Sequence, residues 1–347
     1  MRTLRTMVRL TVILLAAMAL ITGTATGGIT IETVPVGNPG NAPDAEVMND
    51  GTTGYGGVAY TYNVGKYEVS NAQYTAFLNA VAADDTYALY DTYMWYADDG
   101  CKIERSGTVG SYTYSVAADR ANRPVSSVSF WDACRFANWL HNGQPAGAQD
   151  LTTTEDGAYF LDGEMWPLNT DVNRKADWKW AVTSEDEWYK AAYYDGVASV
   201  YYDYPTGSNT APTVEPPPGA DMINGSANCS VSVAPTYYST ECGAYTAKPS
   251  DSPHGTFDQG GNVWEWNEAI LGPSGGERGV RGGSWDGHTG NLRALARGHV
   301  LTMESSNVGF RVSEVSAEAQ PIPEPGSLVL LGLGLTGALV RRKGPRR

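Results

Sequence analysis

The chain has 347 residues, with 24 Lys and Arg against 38 Asp and Glu, a formal net charge of −14. An acidic surface of this kind repels phosphate backbones and anionic lipid, so nucleic acid is excluded as a partner. Tyrosine (21) and tryptophan (10) are abundant, which excludes a disordered chain and fits a packed, aromatic-rich domain.

Residues 1–27 read as a signal peptide: Arg2, Arg5 and Arg9 precede an apolar run over 10–21 and the small residues Gly23, Thr24 and Ala25. One domain is expected over 29–313. It opens on strands, with alternation over 29–34 and β-branched and aromatic residues over 58–67. A helix follows Ser70, where Gln73 completes a capping box and Tyr74, Phe77, Leu78 and Val81 share one face. A second helix is predicted from Ser129, with Ala133, Phe136, Ala137 and Leu140 buried and Gly143 as terminator. A third starts near Ser184, with Glu187 at the box position and Trp188, Ala191 and Ala192 facing inward.

Residues 201–256 hold Pro216-Pro217-Pro218 and many Gly, Ser, Thr and Asn with little periodicity. A loop that long needs cations, disulfides or aromatic packing to hold it. Export favours disulfides among Cys101, Cys134, Cys229 and Cys242, with three pairings open and Cys229 with Cys242 closing the shortest loop. A linker over 314–325 leads into a tail over 323–347: Pro323-Glu324-Pro325, an apolar run from Ser327 to Val340, and then Arg341-Arg342-Lys343. At about 14 residues the run is shorter than the ~20 that span a bilayer upright.

Four segments occur in order: Gly65-Lys66-Tyr67-Glu68-Val69-Ser70-Asn71-Ala72-Gln73-Tyr74, Thr183-Ser184-Glu185-Asp186-Glu187-Trp188, Asp258-Gln259-Gly260-Gly261-Asn262-Val263-Trp264-Glu265-Trp266, and Arg281-Gly282-Gly283-Ser284-Trp285 followed by Gly309-Phe310-Arg311-Val312. Together they resemble the formylglycine-generating enzyme (sulfatase-modifying factor) family over about residues 58–313. The resemblance implies an irregular, loop-rich α+β fold related to C-type lectin domains. The tail is similar to the PEP-CTERM sorting signal, which implies exosortase-type machinery as a partner. It also implies a cell-surface or extracellular location with transient C-terminal membrane anchoring, and an exopolysaccharide or cell-surface protein as ligand.

Calcium prefers six to eight hard oxygens. A glycine-rich turn between Asp258 and Glu265 can bring two carboxylates and backbone carbonyls around one ion. By resemblance, Asp258 and Glu265 supply side-chain ligands and Gly261 and Val263 supply carbonyls to a structural calcium. The family's pocket is expected at Ser284, Trp285, Asp286 and His288. Its active members hold copper with two cysteines, one three residues past the serine and one five further on; here those positions are Gly287 and Leu292. Cu(I) is held by soft sulfur ligands, so copper is not expected at this site. The sulfoxide synthases of ergothioneine synthesis resemble the same domain but bring iron on a His-x-x-x-His-x-Glu motif. His141, His254, His288 and His299 do not have that spacing. Arg293, Arg297 and Arg311 are expected to tie loops through carboxylates. The expected function is an exported, calcium-stabilised binding or structural module. The alternative is a metal-dependent oxidoreductase of the same superfamily, and a true sulfatase activator ranks last.

Overall fold

The computed structural model describes residues 28–231, 233–247, 250–272 and 275–315. The signal peptide, most of the linker and the tail lie outside them. The three expected helices are Asn71–Val81, Phe130–His141 and Glu185–Tyr193. Each begins at a serine that accepts from the backbone N–H three residues on, while that residue's side chain accepts from the serine N–H. These reciprocal bonds satisfy donors that a helix start leaves unpaired. The predicted apolar faces are all buried: Tyr74, Phe77, Leu78 and Val81, then Ala133, Phe136, Ala137 and Leu140, then Trp188, Ala191 and Ala192. Gly143 adopts φ +82° just past the second helix and donates to Leu140 O, which ends it.

Two four-stranded sheets complete the framework. One has the order Thr33–Val36, Tyr62–Gly65, Val312–Glu314, Trp180–Val182, so both ends of the domain meet in it. Its last strand runs to Glu314, and Val315 is buried and bonded to Lys179 O. The other has the order Gly298–Leu301, Glu277–Arg281, Trp264–Leu271, Val308–Gly309. The first two helices are joined by aromatic packing: Phe136 lies 5.3 Å from Phe77 and 5.4 Å from Phe310, and Phe77 lies 5.3 Å from Trp139. The two Phe136 contacts are edge-to-face, an arrangement that adds to the area burial of the rings. The strand expected over 29–34 forms instead at Thr33–Val36, because its register is set by pairing with Tyr62–Gly65 rather than by its own alternation.

The expected disulfides are absent: Cys101, Cys134, Cys229 and Cys242 are free thiols. Cys101 bonds Ser126, Cys134 is buried on the second helix, Cys229 packs beside Tyr204 and Leu292, and Cys242 points at Glu68 O. The 201–256 region is held by packing and hydrogen bonds instead. Arg120 and Arg123 stack on Tyr237 and donate to the carbonyls of Thr236, Tyr237 and Ser239. Among the described residues no helix is long and apolar enough to cross a membrane.

Asp132, the capping-box acid of the second helix, is buried, and burial pushes its carboxyl up to about 7. A folded pKa above the unfolded value of about 3.9 means that folding takes up a proton between those two values. This group's contribution therefore declines as pH rises from about 4 to about 7. Asp132→Asn keeps an acceptor for the Ser129 N–H and is expected to flatten that part of the stability profile. Urea midpoints from pH 4 to pH 8 test it; an unchanged slope contradicts the assignment.

Candidate functional site

Two of the sequence segments meet back to back. The Gly261 N–H donates to Gly282 O and the Trp285 N–H donates to Asn262 O, both at 2.9 Å. The closeness depends on glycine: Gly282 has φ +97°, and a Cβ there would lie 2.6 Å from Gln259 O. Gly261 (φ +98°) approaches the long loop in the same way, since a Cβ there would lie 2.3 Å from Asn228 O. Asn262 is also left-handed (φ 63°) and buried. Its side chain accepts from the Thr240 N–H at 2.8 Å and donates to Glu68 at 3.0 Å. The turn is thus fastened to the long loop and to the opening segment.

Asp258 and Glu265 are both buried, but they differ in their partners. Glu265 accepts from Arg311 Nε at 2.5 Å, Arg311 Nη2 at 2.6 Å and Trp188 Nε1 at 2.7 Å. It is therefore first of all one half of a buried bidentate ion pair. Asp258 accepts from the Gly243 N–H at 2.6 Å. Glu68 is the third buried carboxylate here, and sequence reading placed it only within the opening segment. Its Oε2 and the Oδ1 of Asn228 are buried without a hydrogen-bond partner. Burial first, then the charges of Asp258 and Glu265, pushes the Glu68 carboxyl well above its usual range. Burial likewise raises Asp258. Arg311 is the cation that acts on all three acids. Three carboxylates and one guanidinium leave two negative charges, which buried groups shed by binding protons or a divalent cation. Among the described residues no three His, Cys, Asp or Glu side chains converge as a metal site by themselves. A calcium ion here would need backbone and amide oxygens as well, which are within its ligand chemistry. Asn228 Oδ1 is such an amide oxygen, and Glu68 Oε2 is a carboxylate oxygen that likewise lacks a hydrogen-bond partner.

The predicted pocket residues form a small polar ledge. Ser284 and Trp285 are buried, and the Trp285 ring packs 4.9 Å from Tyr238. Asp286 is exposed and accepts from Ser284 Oγ at 2.6 Å and from Asn307 Nδ2. His288 caps the short 3-10 turn Thr289–Leu292, its Nδ1 accepting from the Gly290 N–H. Its ring is thus engaged in local structure. At the two copper positions, Gly287 carries no side chain, and Leu292 is fully buried against Tyr204, Ala227 and Cys229. One thiol, Cys229, does share that cluster, and burial pushes it up to about 11. The expected arginine ties are present. Arg293 pairs with Asp203, and Arg297 pairs with Asp50 and Glu185. Arg281, not foreseen as a tie, is fully buried and also holds Glu185.

A glycine-lined turn and a Gly-Gly-Ser-Trp floor, joined by long loops on a short frame of helices and strands, define a loop-built α+β domain. The chain belongs to the family of the sulfatase-modifying factor enzyme 1-like domain, which matches residues 56–315. Residues 321–343 match the PEP-CTERM protein-sorting motif. The protein is therefore an exported member of that family, addressed to the cell surface through exosortase-type sorting machinery. No curated protein matches the chain. Among solved structures, CarF is 20% identical with a TM-score of 0.51, covering 83% of this chain and 99% of that one. PvdO from Pseudomonas aeruginosa is 17% identical with a TM-score of 0.46, covering 82% of this chain and 91% of that one. The Treponema denticola variable protein 1 is 16% identical with a TM-score of 0.45, covering 84% and 98%. The likeness to CarF concerns the fold.

Proposed function

We propose that this exported domain does not generate formylglycine and acts as a calcium-stabilised binding or structural module at the cell surface. The observation that carries this reading is the pair Gly287 and Leu292. Hydrogen and hydrocarbon stand where the family's copper chemistry needs two sulfurs, and Leu292 is sealed into an apolar cluster. Ser284, Asp286 and His288 bond to their neighbours, which suits a rigid ledge. Copper is not assigned to the site.

Calcium is supported by the uncompensated charge around Asp258 and Glu68. Asp258, Glu265 and the carbonyls of Gly261 and Val263 would hold it, with Glu265 shared with Arg311. The ion would supply charge balance and rigidity. Chelator is expected to lower the melting temperature of the purified mature domain, and calcium to restore it. In Asp258→Ala that response should vanish. A mutant that keeps the full calcium response removes the ion from this site.

A metal-dependent oxidoreductase is the second reading, favoured by one observation, the Cys229 thiol beside Leu292. Metal analysis separates the two. Calcium alone supports the module, whereas a redox metal retained stoichiometrically supports the oxidoreductase.

A further inference from the structure

A concavity of about 390 Å³ shares no lining residue with the ledge or the glycine-rich turn. Its floor is Leu161 and Val172, both buried, and its walls include Phe160, Trp166 and Leu168, which are 47%, 64% and 71% exposed. Large apolar side chains concentrated so openly within nine residues are not accounted for by packing. The segment that presents them is firmly anchored from beneath. Fully buried Arg135 donates to Glu164 O, and Arg278, which is also buried, donates to the carbonyls of Asn169 and Val172. Two guanidiniums therefore fix the backbone while the apolar side chains face solvent, which lowers the ordering cost of binding.

The rim selects the ligand class. Its ionised side chains are Asp162, Glu164 and Asp171, all exposed, and no lining side chain is a cation, a hydroxyl or an amide. Carboxylates accept hydrogen bonds and do not donate, so the occupant must bring the donors and positive charge. Exposed aromatic faces also attract cations. The Phe160 ring already shows this: Lys175, which pairs with Asp156, lies 5.9 Å from its centroid. A sugar would ask the rim for donors as well as acceptors, and these side chains offer few. We infer that this concavity binds a lysine or arginine side chain flanked by apolar residues in a partner polypeptide. The apolar neighbours would contact Leu168 and the edge of Trp166, with the cation set between the Trp166 ring and the carboxylates. The inference is independent of the calcium and copper readings, since none of their residues takes part.

Calorimetric titration of the mature protein tests it, using acetyl-Leu-Lys-Leu-amide with its norleucine and glutamate counterparts as probes. The lysine peptide is expected to bind at least about tenfold more tightly than the norleucine peptide, with affinity falling as salt rises. Trp166→Ala should weaken the lysine peptide by about tenfold. Asp162→Asn/Glu164→Gln/Asp171→Asn should abolish the preference for lysine over norleucine. All four positions are exposed, and circular dichroism verifies that the variants fold. Equal binding of lysine and norleucine peptides, or no binding of either, overturns the inference. So does Trp166-dependent binding of a neutral oligosaccharide in preference to the lysine peptide.

Discussion

Arg311→Ala is expected to destabilise the domain by about 3–5 kcal/mol, at the top of the range for single substitutions. The side chain is fully buried and pairs in bidentate fashion with Glu265, while its Nη1 donates to Gly65 O and its Nη2 to Phe257 O. Removing it leaves Glu265 buried with Trp188 as its remaining side-chain donor. It also removes the cation that acts on Glu68 and Asp258. Uncompensated buried charge, rather than a lost contact, sets the magnitude. Arg311→Met combined with Glu265→Met removes both charges and is expected to recover much of the loss. Chemical denaturation of the single and double variants measures this. If the double variant is no more stable than Arg311→Ala, the cost lies in the hydrogen bonds to the carbonyls and not in the stranded charge.

Gly261→Ala is the second large effect. A left-handed backbone costs an L-residue about 1–2 kcal/mol, and overpacking typically adds about 1–3 kcal/mol. The added methyl would lie 2.3 Å from Asn228 O, a backbone atom that cannot rotate aside. The glycine-rich turn and the strand Trp264–Leu271 would have to separate from residue 228, carrying Asn262 with them. A loss of roughly 2–5 kcal/mol is expected from these two terms. Calcium response, if the turn holds the ion, should weaken in parallel. Gly37→Ala is a useful contrast, because no atom lies within 4 Å of where its methyl would sit. Equal melting temperatures for Gly261→Ala and the native protein would show that the turn is not built on this close approach.

Local signals were legible and distant pairings were not. The helix starts at Ser70 and Ser184 were readable because a capping box is decided within four residues, while the one at Ser129 was read from the apolar stripe that follows it. The apolar faces followed from helical period alone. The first strand shifted because Thr33–Val36 takes its register from Tyr62–Gly65, and Val312–Glu314 escaped notice because its partners, Asn63 and Val64 on one side and Trp180–Val182 on the other, lie far away in sequence. The glycine-rich turn was recognisable as a site candidate, but its surroundings were hidden. Glu68 reaches Asn262 over 194 positions, and nothing in its local sequence marks it as a buried acid. Arg311 could be named as a loop tie, yet its partner Glu265 had been assigned wholly to calcium. The cysteines misled for a different reason. An even count and an export signal report the redox compartment, whereas a bridge needs two Cβ atoms brought together. Here the four thiols are set in separate surroundings.

The central claim is that the fold persists without the family's copper chemistry, and a peptide-oxidation assay addresses it most directly. The mature domain is incubated with copper, oxygen and reductant and with a sulfatase peptide carrying the client cysteine. A family member that retains both copper cysteines is run alongside. With Gly287 and Leu292 at the two ligand positions, no aldehyde should form while the comparison enzyme turns over. Aldehyde formation by this protein, lost on Cys229→Ser or Cys242→Ser, would contradict the claim and show that a thiol from the long loop completes a copper site.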